Sequence, residues 1–449
     1  MALECAHCGA RADDDARRCP KCLRSTLVAV DAPKPRAPRR RVVALIAAGV
    51  VVAGGVGAGV VALRSRPPAP PAVTAPAAAE PLAASEELRP LVERLRREGS
   101  PAARARVAAD EVQRRRRARV AGEDDPPPPP RSPTLVWRML PSPEATVAEL
   151  DLARLVATLL RGAGDDAAVV ERTGPTRAGE ATAPASWLGA YMVRSGEQLV
   201  DVSAGNVVPA SEFRHRAMSP TELGGAIAAQ SAVEAASASG MGDRALEWAN
   251  NAVEVWTTSP TPLAARARAW LAVGASSGLD LADQDLRAAI ALRDDAPLHL
   301  ERARVLLAKR DLAGAARESR RAATLAPTWG SAALATLALA PVIERLDAGA
   351  ASGCAGLQSA RAPWTDDAYA LCADGVDAAT REAAARRLLA RSRDPLRLAW
   401  AARAIRPAPL AELRAKLTGP DRREAAQWLV LLGDPESAAA LLSTPDGGA

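Results

Sequence analysis

Residues 304–316 read Arg304-Val-Leu-Leu-Ala-Lys-Arg-Asp-Leu-Ala-Gly-Ala-Ala316, and this stretch is the clearest guide to the architecture of the C-terminal half. Leu and Ala, which favour helices, stand on both sides of Lys309-Arg310-Asp311. The pattern predicts the end of one helix, a short turn and the start of a second helix. Further copies of such a pair would indicate a helical repeat protein.

Segments of the same form do recur. Three of them end alike, at residues 252–256, 289–293 and 322–326, and their period is 33 to 37 residues. Each segment has room for two helices, with small residues such as Ala303 where the helices would cross. The repeats resemble the tetratricopeptide repeat, a helix–turn–helix unit of about 34 residues. The usual large aromatics are mostly missing, and His299 stands where Trp is common.

The resemblance implies an α-solenoid over residues 221–449, because a single helical pair cannot bury its apolar face and must stack on its neighbours. It also implies a concave groove that binds peptides or other proteins, with a simple spacer as the alternative. The tryptophans of the repeats are expected in the core rather than as ligand platforms. They are Trp248, Trp256, Trp270 and Trp329.

The N-terminus carries two Cys-x-x-Cys pairs within residues 1–26, and Gly9 follows the first pair. Two such knuckles present four thiolates in a tetrahedral array, which suits a structural Zn²⁺ with no open coordination position. The predicted ligands are Cys5, Cys8, Cys19 and Cys22. The segment resembles the zinc-ribbon modules found at the N-termini of many bacterial membrane proteins. A pair of disulfides is the alternative.

Residues 42–63 form an apolar run without a charged side chain. As a helix the run would be about 33 Å long, enough to cross the hydrocarbon core of a bilayer. Basic residues crowd into the juxtamembrane linker 27–41, and few follow the run closely, which places the N-terminus in the cytoplasm. The prediction is a single-pass inner-membrane protein with an extracytoplasmic, periplasmic C-terminal domain. Gly55 and Gly59 could support a homodimer, and a buried soluble helix is the alternative to the span.

Four segments join the run to the repeats. Residues 64–85 form an Ala/Pro-rich linker, and residues 86–120 an Arg-rich helical segment that could bind phosphate groups or simply face solvent. Residues 121–133 form a polyproline spacer. Residues 134–220 form a small mixed α/β segment, with helical spacing over 144–160 and a hairpin over 187–208.

The composition favours a mainly α fold. Hydrophobic residues make up 48% of the 449 residues, but aromatics only 3%, so much of the apolar content is Ala. A net charge of +6 is modest for this length, and we do not expect a nucleic-acid partner. Cys354 and Cys372 lie far from the N-terminal cysteines and could form a disulfide, with two buried free thiols as the alternative.

These features predict a non-enzymatic, membrane-anchored scaffold whose helical domain binds proteins and whose zinc ribbon makes a further contact. Asp201, Glu212 and His215 could be a catalytic set, but their spacing matches no motif, and an ordinary polar surface is the preferred interpretation. The alternatives are a transmembrane signalling protein with a ribbon that binds nucleic acid or the transcription machinery, and an envelope hydrolase in residues 134–220.

Overall fold

A computed structural model provides the structure of the protein. It describes residues 2–5, 11–12, 27–30, 85–120, 128–175, 190–238, 240–274, 276–327, 329–340, 342, 354–358, 360, 364–417 and 419–443. The chain divides into two compact units, residues 1–78 and 79–449.

The described part of the first unit is a small antiparallel sheet. Its strands are β1 (Ala2–Cys5), β2 (Arg11–Ala12) and β3 (Leu27–Val30), in the order β2-β1-β3. Cys5 ends β1 and pairs with Leu27 of β3.

The second unit begins with helices packed on a curled antiparallel sheet. Its elements are α1 (Arg89–Arg96), α2 (Pro101–Arg115), β4 (Arg119–Val120), α3 (Pro133–Met139), β5 (Thr146–Val147), α4 (Glu149–Gly162), β6 (Ala167–Pro175), β7 (Tyr191–Ser195), β8 (Gln198–Asp201), β9 (Asn206–Pro209) and β10 (Phe213–Ala217). Strands β6 to β10 form one sheet in the order β10-β6-β7-β8-β9, and β4 pairs in parallel with β5. Helices α2 and α4 contact the sheet, so the predicted segments 86–120 and 134–220 contribute to one core.

The predicted hairpin is confirmed. Strands β7 and β8 are antiparallel, and Ser195 pairs with Gln198 across a two-residue turn. Gly196 has a φ of 58° in that turn, a backbone conformation that residues other than glycine adopt only at a cost in free energy. The predicted helix over 144–160 is confirmed as α4, which begins five residues later than the pattern suggested because Thr146–Val147 forms β5.

The arginines of α1 and α2 are largely engaged within the chain. Arg104 forms an ion pair with Asp165 at 2.5 Å, and Arg96 donates from Nη2 to the carbonyl of Gly162 at 2.8 Å, at the end of α4. Arg115 stacks over Trp137, 4.3 Å from the ring centroid. These contacts attach the Arg-rich segment to the helices and loops beside the sheet.

The rest of the second unit is helical. Its helices are α5 (Pro220–Ala236), α6 (Gly242–Val255), α7 (Thr261–Val273), α8 (Ser276–Leu292), α9 (Ala296–Ala308), α10 (Leu312–Leu325), α11 (Gly330–Ala338), α12 (Ala355–Gln358), α13 (Thr365–Ala370), α14 (Ala378–Arg391), α15 (Pro395–Arg403), α16 (Leu410–Lys416), α17 (Gly419–Leu431) and α18 (Pro435–Leu442). From α5 to α11, each helix contacts the next, and α5 also contacts α7. Consecutive helices of this part of the chain therefore pack side by side.

The helical pair predicted from residues 304–316 is confirmed as the end of α9 and the start of α10. Arg310 in the turn has a φ of 62°, and Asp311 caps α10 by accepting the backbone N–H of Gly314 at 2.8 Å. The second helices of the three repeats end at Val255, Leu292 and Leu325, as the recurring sequence predicted.

The C-terminal helices continue the helical part but also return toward its beginning. Helix α17 packs on α15 and α18, and it also contacts α9 and α7, more than 100 residues earlier in the sequence. Of the predicted core tryptophans, Trp256 and Trp270 are buried and Trp329 packs against the C-terminal core. Trp248 is only half-buried, with the Arg244 guanidinium 5.0 Å from its ring centroid. The second unit is thus mainly α, with one small sheet.

The predicted localisation must be corrected. Of the helices in the described parts of the chain, none combines the length and the apolar character that a membrane crossing requires. The run 42–63, with Gly55 and Gly59, lies outside the described residues. The prediction rested on the length and apolar composition of this run alone, and a buried helix of a soluble protein can share both. The prediction of a single-pass inner-membrane protein does not stand.

Candidate partner-binding cleft

A cleft lies between α7, α9 and α17, with a volume of about 240 Å³. Its walls combine apolar side chains with a group of charged ones. The lining residues are Ala236, Arg268, Leu271, Ala272, Gly274, Leu279, Arg304, Ala308, Asp421, Arg423, Glu424 and Gln427. Side chains from distant parts of the sequence therefore converge on one small volume.

Arg304 on α9 is the centre of an ion-pair cluster at the cleft. Its Nη1 donates to Glu301 at 2.7 Å, its Nε lies 3.2 Å from Glu424 of α17, and it also forms an ion pair with Asp394, the N-cap of α15. Only 13% of its side chain is exposed. Arg304 therefore connects the repeats to the C-terminal helices.

Arg268 on α7 has longer contacts with the acidic residues of this cluster than Arg304 has. Its Nη1 is 3.5 Å from Glu301, and its Nη2 is 3.7 Å from Asp421 of α17. The first contact is at the limit of a hydrogen bond and the second is beyond it. Arg268 is thus an interior guanidinium with weak partners beside the cleft.

The charges of the cleft shift one another's pKa values. Burial lowers the pKa of Arg304, but Glu424 and Glu301 more than offset this and hold the pKa well above its ordinary value. Burial raises the pKa of Glu424, and Arg304 and Arg268 oppose that rise only in part. The arginines therefore stay charged, while the raised pKa of Glu424 lets it take up a proton at a higher pH than an ordinary glutamate.

Two glycines shape the wall formed by α7 and α8. Gly274 ends α7 with a φ of 72°. A Cβ at Gly278 would stand 3.0 Å from the carbonyl oxygen of Trp270, so this glycine allows α8 to lie close to α7. Sequence reasoning missed the cleft, because its charged residues resemble the solvated face of ordinary helices.

The structure does not bring the suggested catalytic set together. Asp201 ends β8, where its Oδ1 accepts the backbone N–H groups of Ser203 and Ala204. His215 lies on β10, which β6 and β7 separate from β8, and its Nδ1 contacts the carbonyl of Phe213. Glu212 is exposed in the short turn before β10. The sheet order keeps Asp201 and His215 apart.

Cys354 and Cys372 form a disulfide, with their Cα atoms 5.9 Å apart. The predicted bridge is confirmed. It closes a short loop that connects α12 with the end of α13.

The predicted zinc ligands are not tested by the structure. Cys8, Cys19 and Cys22 lie outside the described residues, and Cys5 is described only as the last residue of β1. The structural Zn²⁺ therefore stays a prediction.

Replacing Cys5 and Cys8 together by Ser is expected to remove about one zinc ion per chain, because two thiolates alone do not complete a tetrahedral site. Zinc in the purified full-length protein would be measured by inductively coupled plasma mass spectrometry. The matched control replaces Cys354 and Cys372 by Ser and should leave the zinc content unchanged. Equal zinc in all three proteins would refute the site.

Two buried carboxyl groups next to the sheet have raised pKa values. Glu149, at the start of α4, accepts the backbone N–H of Tyr191 at 2.9 Å, and burial raises its pKa to about 7. Asp151 is fully buried and accepts the N–H of Arg131 at 3.2 Å, and burial raises its pKa to about 6. Both groups hold a proton in the folded protein at a pH where the unfolded chain has lost it.

The free energy of unfolding is therefore expected to fall as the pH rises through the range 4.5 to 7.5. A drop of about 5 kcal/mol is expected from the two groups together, since each pKa unit corresponds to about 1.4 kcal/mol. His299 also makes the free energy of unfolding fall as the pH rises. Burial lowers its pKa, but hydrogen bonds to Glu318 and Asp294 raise it more, so its contribution is lost as the pH rises through the folded value.

Urea unfolding across this range would measure the effect. The double variant Glu149→Gln/Asp151→Asn should flatten most of the slope. The matched control Glu382→Gln, at an exposed carboxylate on α14, should keep it. If the free energy of unfolding of the double variant still falls with pH as in the native protein, Glu149 and Asp151 are not the cause of the pH dependence.

No family model, no curated protein and no solved structure matches the chain. The fold defines its class, a mainly helical protein with stacked antiparallel helices beside a small antiparallel sheet. The predicted membership in a known combination of zinc ribbon, membrane span and tetratricopeptide-like repeats is corrected accordingly. The helical stacking is shared with such repeats because any short amphipathic pair must stack, and stacking alone does not establish a family.

Proposed function

We propose that the protein is a non-enzymatic scaffold that binds a segment of a partner protein in the cleft between α7, α9 and α17. The cleft itself carries this proposal, since apolar walls and charged side chains from three helices meet there. Pockets that combine apolar walls with a few placed polar groups are the usual sites of recognition.

The network around the cleft supports a rigid scaffold. Arg304 connects Glu301 on the same helix to Glu424 and Asp394 in the C-terminal helices. Helices fixed in this way can present a preformed surface, which reduces the entropy lost on binding.

Site-specific photo-crosslinking tests the proposal. A benzophenone amino acid would replace Leu279 or Gln427 in the cleft, or Leu135 on α3 as an exposed control. With the full-length protein in its native cells, the two cleft positions should capture the same partner and the control should not. The captured partner, purified, should then bind the unmodified protein with a measurable Kd. No adduct, or the same adduct at all three positions, would refute the proposal.

A further inference from the structure

We infer that the cleft contains a carboxylate subsite, in which Arg268 and Arg423 bind an acidic side chain of the partner segment. The inference rests on the proposed function and names the chemistry of the partner.

Arg268 supplies the first reason. A guanidinium has several N–H donors arranged as a fork that matches a carboxylate. Within the described part of the chain, Arg268 makes one hydrogen bond, at the 3.5 Å limit, and one ion pair at 3.7 Å. Most of its donors therefore remain available beside the cleft, although only 18% of the side chain is exposed.

Arg423 supplies the second reason. It lies in α17 on the opposite wall, and its Nη2 stands 3.4 Å from the position a Cβ would occupy on Gly274. The side chain is exposed, and no other described residue forms an ion pair or hydrogen bond with its guanidinium. Two guanidinium groups with unused donors thus line one cleft.

Two acidic residues, Asp421 and Glu424, line the cleft, against the three arginines Arg268, Arg304 and Arg423. Glu424 Oε1 contacts Arg304 at 3.2 Å and accepts the Nε1–H of Trp428 at 3.1 Å. Glu301, which lies behind the lining, uses one oxygen with Arg304 and the other with Arg268. Asp421 has only the long ion pair with Arg268. The lining therefore carries one more positive than negative charge, which favours an anionic ligand over a cationic one.

Ion pairs within the chain use the chemistry that such a ligand would use. Asp394 and Glu424, both from the C-terminal helices, already bind Arg304 one helix away from Arg268. A carboxylate of the partner would pair with Arg268 as Asp394 and Glu424 pair with Arg304. Carboxylate–guanidinium pairs of this kind can be bidentate, which gives direction as well as affinity.

The size of the cleft limits the ligand. A volume of about 240 Å³ is below the range of roughly 300–1,000 Å³ typical of small-molecule sites. It suits one or two side chains, and Leu271, Leu279 and Ala308 provide an apolar wall. The segment should therefore carry an acidic residue beside an aliphatic one.

Fluorescence anisotropy with short peptides tests this. The probe is fluorescein-Ala-Glu-Leu-Glu-Leu-Ala-amide, and its neutral match has Gln in place of Glu. The full-length protein should bind the acidic probe at least tenfold more tightly than the neutral one. Hydrogen exchange should show protection of residues 268–279 and 421–427 by the acidic probe. Free glutarate should compete only weakly, whereas strong competition would assign the subsite to a free organic acid and overturn the peptide proposal.

Arg268→Lys keeps the charge but removes the fork, and Arg423→Gln removes an exposed charge. Each substitution should weaken binding of the acidic probe at least fivefold and leave binding of the neutral probe unchanged. Arg97→Gln, an exposed arginine at the end of α1, is the matched control and should have no effect. Equal binding of both probes, or no binding of either, would overturn the inference. The crosslinking result would then decide the proposed function separately.

Discussion

Replacing Asp285 by Ala is expected to lower the free energy of unfolding by about 3–5 kcal/mol, because it leaves Arg266 charged and buried without its partner. The two side chains form a bidentate pair between α7 and α8, at 2.7 Å from Nε and 2.6 Å from Nη2. Arg266 is 5% exposed and Asp285 6%. Asn250 of α6 is 3.4 Å from Arg266 and cannot replace a carboxylate.

Urea unfolding followed by far-ultraviolet circular dichroism measures this effect. The control is Glu382→Ala, which removes an exposed pair with Arg386 on α14 and should cost less than about 1 kcal/mol. The double variant Arg266→Met/Asp285→Leu removes both charges and should recover much of the lost stability. If Asp285→Ala costs no more than the control, the pair does not support the stack of α7 and α8.

Arg304→Met is expected to have the second large effect, a loss of about 3–5 kcal/mol at pH 7. The substitution leaves Glu301, Asp394 and Glu424 close together without their common cation. Their mutual repulsion would raise their pKa values in the folded variant. The variant should therefore regain stability as the pH falls from 7 to 5, because its folded state then takes up more protons than the unfolded chain.

Parallel urea titrations of the native protein and the variant at pH 5 and pH 7 would measure the difference. Arg386→Met removes an exposed arginine from α14 and serves as the matched control, with little change at either pH. If Arg304→Met lowers the free energy of unfolding by the same amount at pH 5 and at pH 7, this account of the cluster is wrong. Loss of the α17 contact should also appear as faster hydrogen exchange over residues 421–427.

Local structure was predictable where a short pattern specifies it. The hairpin β7–β8 follows from alternating residues around a glycine turn, and the repeats follow from apolar residues at helical spacing. The ends of α6, α8 and α10 lie where the recurring sequence placed them. Such features depend on neighbours only a few residues away.

The cleft was not predictable in the same way. Arg268 and Arg304 occur in helices rich in charged residues, and Asp421 and Glu424 lie far along the chain. A helical pattern shows which face is apolar but not which distant helix will cover a charged position. The sheet order likewise separates Asp201 from His215, although both lie in one short stretch of sequence.

The sequence alone therefore specified the stacked helical pairs, their turns and the β-hairpin, because periodicity and turn chemistry act over a few residues. Only the tertiary structure returned α17 to α7 and α9 and surrounded Arg304 with carboxylates from three regions of the chain. The physical reason is that burial and pairing of a charge depend on helices that are distant in sequence. The same charged residue is an ordinary surface group when the helix is alone, and part of a buried ion-pair cluster when another helix covers it.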